Sequence, residues 1–136
     1  MPKANPTDAV NLSGLWHGQY SYPNNKRPVA FTLTMTETNS WLNGVVEETG
    51  TVGEARGLTI GATVQGRRTG HDVTWLKFYH GSYRGYDSVS YEGEVSVDGT
   101  EIAGRWTIHA NWSGRFLMVR QKGAEAAQTR KASVKV

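Results

Sequence analysis

Apolar and polar residues alternate along most of this chain, and long helical periodicity is absent before residue 121. The cleanest window is residues 29–36, where Val29, Phe31, Leu33 and Met35 alternate with Ala30, Thr32, Thr34 and Thr36. A period of two is the signature of a strand with one face buried. Residues 14–22 repeat it with Trp16, Tyr20 and Tyr22 on one side, and residues 41–48 with Leu42, Gly44 and Val46. Further windows carry Leu58, Ile60, Ala62 and Val64; Val89, Tyr91, Gly93, Val95 and Val97; Ile102, Gly104, Trp106 and Ile108; and Trp112, Gly114, Phe116, Met118 and Arg120. One window is ambiguous. In residues 73–79, Val73, Trp75 and Tyr79 oppose Leu76 and Phe78, so either face could be the inner one.

Turn chemistry separates these windows: Pro23-Asn24-Asn25-Lys26, Thr38-Asn39-Ser40, residues 66–70, and Asp98-Gly99, where glycine supplies the positive φ of a hairpin. Eight short strands at roughly 8–12-residue spacing predict an all-β fold. Short links between neighbours favour a single eight-stranded antiparallel up-and-down β-barrel, with an open sandwich as the second choice. Glycines 14, 18, 44, 93, 104 and 114 fall on the inner face, where a small barrel needs bends and close approaches. The predicted organisation is a flexible N-terminus (1–11), a barrel domain (12–121), and a flexible or short helical basic tail (122–136). Residues 49–57 and 80–87 read as Gly-containing loops.

Charge and composition narrow the function classes. Among the 136 residues there is no cysteine, so disulfides and thiolate chemistry are excluded. Residues 1–120 hold eleven Lys/Arg and eleven Asp/Glu, and the net +3 lies in the tail, with Lys122, Arg130, Lys131 and Lys135 against Glu125. A neutral body argues against a nucleic-acid partner. No stretch approaches the roughly 18 apolar residues of a membrane helix, so no membrane insertion is expected. Residues 1–11 contain no apolar leader core, and a cytoplasmic location is the expectation.

Gly14-Leu15-Trp16 at the start of the first strand, with an inward Arg120 near the end of the last, resembles the calycin pattern of lipocalins, avidins and fatty-acid-binding proteins. The resemblance implies that Gly14, Trp16 and Arg120 form the structural closure of the barrel, the guanidinium stacking on the indole at the closed end. The chain is shorter than a typical lipocalin and lacks the helix pair that caps fatty-acid-binding proteins.

If Trp16 sets the inward parity, the lumen collects aromatic residues with a few polar tips, a composition suited to a small-molecule cavity. The candidate ligand-binding residues are Tyr20, Phe31, Trp75, Lys77, Tyr79, Tyr91, Trp106 and Phe116. Lys77, with Tyr79, Tyr91 and Glu48, is the sharpest polar group. An ammonium in an apolar lumen must find a partner or lose its proton more easily. Lys77 at the rim, or turned outward, is the competing placement.

The four histidines are not at metal-ligand spacing, no metal site or cofactor is implied, and no catalytic residue can be named. Trp41, Val45, Leu117 and Val119 on the outer parity suggest a subunit interface and a homodimer. The expected function is binding of a small hydrophobic or amphipathic molecule. The alternatives are an isomerase or cyclase using the same lumen, and a filled barrel that acts through its wall or tail. Fold alone does not choose among them.

Overall fold

The computed structural model describes residues 10–24, 27–51, 53–81, 87–109 and 112–120. They form one closed barrel of eight antiparallel strands in sequential order: β1 (Gly14–Ser21), β2 (Val29–Thr38), β3 (Trp41–Thr49), β4 (Thr59–Thr69), β5 (Asp72–Tyr79), β6 (Val89–Val95), β7 (Glu101–Ile108) and β8 (Trp112–Arg120). β8 pairs back onto β1, with Trp16 opposite Arg120 and Tyr20 opposite Phe116. Closure leaves no unpaired edge. The expected basic tail lies outside the described residues, as do residues 1–9. Among the described residues no helix is long and apolar enough to cross a membrane.

The alternation converts directly into burial. Val29, Phe31, Leu33 and Met35 are buried while Ala30, Thr34 and Thr36 are exposed. The ambiguous window resolves through its neighbours. Lys77 is opposite Val64 on β4 and Val89 on β6, both inward, so Trp75 and Lys77 face the lumen and Leu76 and Phe78 face outward. Tyr79 shares the inward parity at the mouth end of β5, half-buried.

Three expectations need correction. Leu58 precedes β4 and is 48% exposed, because it closes the turn around the short 3₁₀ segment Gly53–Ala55 and its N–H bonds the Ala55 carbonyl. Val97 belongs to the turn at residues 96–100 and not to β6. Residues 66–69 continue β4, and only residues 70–71 turn. Gly66 marks a close approach: a Cβ there would lie 1.9 Å from the Thr74 carbonyl oxygen and 2.6 Å from the Trp75 Cα. A glycine of this kind lets a neighbouring backbone come near and does not end the strand.

The two ends differ. At one end the turns at residues 39–40 and 70–71 are tight, with Asn39, Ser40 and Gly70 at positive φ. Residues 10–13 cross beneath the barrel there, with Leu12 fully buried. This end is the floor. The Trp16 indole N–H donates to the Leu12 carbonyl (2.9 Å). The Arg120 guanidinium lies 4.9 Å from the Trp16 ring centroid and donates to the carbonyls of Asn11, Ser13 and Gly99. Gly14 leads into this contact with a φ of 138°. Arg68, inward on the same parity as Val64, donates to the carbonyls of Val10 and Gly70 and pairs with Glu37 at 2.9 Å. At the other end, the mouth, residues 22–28, 50–58, 80–88 and 109–111 connect the strands.

On the outer wall, Trp41 carries the Arg67 guanidinium 4.5 Å from its ring, and Val45 and Leu117 are exposed on β3 and β8, with β1 and β2 between them.

Candidate functional site

Above the floor the lumen changes character. Glu48 on β3, Lys77 on β5 and Tyr20 on β1 reach across it from strands that are not neighbours, so only closure brings them together. Lys77 Nζ donates to Glu48 Oε1 at 2.5 Å, and Tyr20 Oη donates to Glu48 Oε2 at 2.6 Å. The Tyr79 hydroxyl sits 3.3 Å from both carboxylate oxygens. The ammonium also lies against aromatic rings, 4.5 Å from the Tyr79 centroid and 4.9 Å from that of Tyr20, with Phe31 and Tyr91 at 5.9 Å. Lys77 is 2% exposed. Removing an ammonium and a carboxylate from water costs several kcal/mol per ion before their attraction is counted. The rings and the Tyr20 hydroxyl supply the remaining solvation.

Burial sets the protonation behaviour. It pushes the phenols of Tyr20, Tyr79 and Tyr91 above the ordinary tyrosine range, and the Glu48 carboxylate adds to the rise. All three stay neutral hydroxyls near neutrality. Burial draws the Lys77 ammonium down from its usual range, opposed by the Glu48 carboxylate.

Over this cluster the mouth holds a cavity of about 30 Å³ lined by Tyr20, Tyr22, Tyr79, Tyr91, Trp106 and Trp112, with Asp87, Val89 and Ile108. The rings brace one another. Trp106 meets Tyr20, Tyr22 and Trp112 at 74°, 79° and 86°, and Tyr22 stacks on Trp112 with centroids 5.6 Å apart. The Trp106 ring lies over Gly114, where a Cβ would come within 2.6 Å of it, and its N–H donates to the Ser21 carbonyl (3.0 Å). Tyr91 is 5% exposed, and its hydroxyl makes no hydrogen bond among the described residues. It lines the cavity.

The eight candidate ligand-binding residues therefore divide. Tyr20, Tyr79, Tyr91 and Trp106 line the mouth cavity, whereas Phe31, Trp75, Lys77 and Phe116 are packed deeper. Trp75 stacks on Tyr91 at 5.7 Å, and Phe116 meets both rings edge-on. Lys77 is already engaged by Glu48, so a ligand carboxylate would have to displace that partner. Tyr22, inward by alternation, and Trp112 are not among the eight candidates, although both keep the inward parity at strand ends. Asp87 carries no such signal, because it belongs to a loop. Among the described residues no three His, Asp or Glu side chains gather as metal ligands would. A larger concavity of about 1040 Å³ is an open trough along β5–β8 and the end of β1, away from this cluster. Compared with known proteins, the chain matches no family model and is similar to none of the curated proteins.

Proposed function

We propose that the barrel binds a small, partly apolar molecule at its mouth, seating one compact group among the Tyr and Trp rings above the Glu48–Lys77 pair. The observation that carries this reading is the cavity walled by six aromatic side chains, with Tyr91 offering a hydroxyl that makes no hydrogen bond among the described residues. A ligand acceptor placed at that hydroxyl would gain a hydrogen bond worth about 0.5–1.5 kcal/mol. Drug-sized ligands occupy cavities of roughly 300–1,000 Å³. With about 30 Å³ available, only a terminal group enters and the remainder of the molecule stays at the rim. Binding is favoured over acid–base catalysis because the phenols lining the cavity are pushed away from neutrality, where a general acid or base would be poised. The floor, with Arg120 over Trp16, supports grouping the chain with calycin-like barrels.

Native mass spectrometry of freshly purified protein, followed by denaturation, tests the reading. A released small molecule, or saturable quenching of tryptophan fluorescence that Tyr91→Phe weakens at least fivefold, is the expected result. A protein that is empty on purification and unresponsive to a broad panel of small amphipathic molecules would sink it.

A further inference from the structure

Building on the reading that the mouth binds a small molecule, we infer that its occupant is a compact organic cation, an alkylated or methylated ammonium group. Of the nine described lining side chains six are aromatic and one is charged, Asp87, an acid at the rim that is 68% exposed and lies 3.8 Å from His109 Nε2. Ring faces attract cations through their negative quadrupole. Trp106 stands nearly perpendicular to Tyr22 and Trp112, so the walls meet at right angles, an arrangement that can surround one point with rings. Its indole N–H is already spent on the Ser21 carbonyl, which leaves the ring surface as what it offers.

The lumen just below holds an ammonium of its own. Lys77 Nζ lies 4.5 Å from the Tyr79 centroid and 4.9 Å from that of Tyr20, and both rings also line the cavity. These rings thus already solvate one cation from beneath. Its charge is balanced by Glu48 at 2.5 Å, so it does not repel a second one above. An anion has no such welcome: Asp87 repels it, and the Lys77 ammonium is engaged by Glu48.

The test compares three probes of similar size at constant ionic strength: tetramethylammonium, neutral tert-butanol and anionic pivalate. Calorimetry on the full chain is expected to show tetramethylammonium binding at least about tenfold more tightly than tert-butanol, and pivalate not binding. Trp112→Leu is expected to weaken tetramethylammonium about tenfold and Asp87→Asn about threefold. Both positions are exposed enough for the fold to survive, which an unchanged melting curve verifies. Equal or tighter binding of tert-butanol or pivalate would overturn the cation assignment and leave the mouth-binding reading standing. No binding of any probe, with another molecule released in native mass spectrometry, overturns the cation assignment alone. No probe binding and no released molecule overturns both.

Discussion

The two ends of the barrel each bury positive charge, and they solvate it in opposite ways. At the floor, Arg68 and Arg120 donate to the backbone carbonyls of residues 10, 11, 13, 70 and 99 and to Glu37. A planar guanidinium with five fixed donors suits that task, because it can tie several chain segments together at once. Toward the mouth, Lys77 makes one ion pair and otherwise faces rings. No strand end or turn is held by it. The floor cations have an evident structural job, which is closure. The mouth pair has none, and well-packed apolar residues commonly serve stability as well as a buried ion pair does. That contrast is the reason for proposing the mouth as the functional end.

The largest expected effect breaks the floor. Trp16→Ala removes a fully buried indole and the surface on which Arg120 rests, and is expected to cost about 3–5 kcal/mol in urea unfolding. A loss under about 1 kcal/mol would mean that the floor is not what holds the barrel shut. The next effect separates charge from packing at the mouth. Glu48→Gln keeps an acceptor for Tyr20 but strands the Lys77 ammonium, at an expected cost of about 3 kcal/mol. Adding Lys77→Met removes the stranded charge, so the double variant should recover most of that loss. If the double variant is as unstable as the single one, the pair is a stability element and the contrast between the ends fails.

The floor was more legible in sequence than the mouth, for physical reasons. Burial parity propagates along a strand, so Trp16, Leu33, Met118 and Arg120 follow from alternation alone. Arg68 and Glu37 keep the same parity as Val64 and Met35, and that continuation was the available signal for the pair, obscured because Gly66 was read as a turn. The mouth cluster depends on closure. Glu48 and Lys77 lie on strands separated by β4, and nothing local distinguishes an inward lysine from one at the rim. Their meeting follows only once β8 is paired with β1. Asp87 and the turn around Gly53–Ala55 sit in connections, where period-two patterning carries no information.

Alkali sharpens the comparison without mutation. Tyr20, Tyr79 and Tyr91 hold their protons more tightly in the folded chain than the ordinary value of 10. The stability they contribute is intact below pH 10 and falls as pH rises beyond it, by up to about 1.4 kcal/mol per unit for each phenol. Lys77 acts in the opposite sense: its folded value is lowered, so raising the pH toward 10.5 favours the folded chain at that one group. Above that point the phenols decide. Absorbance at 295 nm should show part of the tyrosine signal appearing only with cooperative unfolding. Smooth titration of all six tyrosines in a folded protein would show that the mouth is open to hydroxide and solvent.

Acid probes the floor, with the smallest effect. In the turn at residues 96–100, Asp98 Oδ1 accepts from the Thr100 N–H, the Thr100 hydroxyl and the Ser96 hydroxyl. These bonds pull the Asp98 carboxyl down to about 2 from 3.8, with Thr100 the main cause. The folded value is the lower one, so the turn's contribution is complete above about pH 4 and is lost as pH falls through about 2. The Gly99 carbonyl in the same turn accepts from Arg120, so loosening it reaches the closure directly. Asp98→Ala should therefore lower the melting temperature slightly at pH 6 and flatten its dependence on pH between 4 and 2, while leaving probe binding at the mouth unchanged. A variant that lost mouth binding with its melting curve intact would show that the two ends are coupled through the strands.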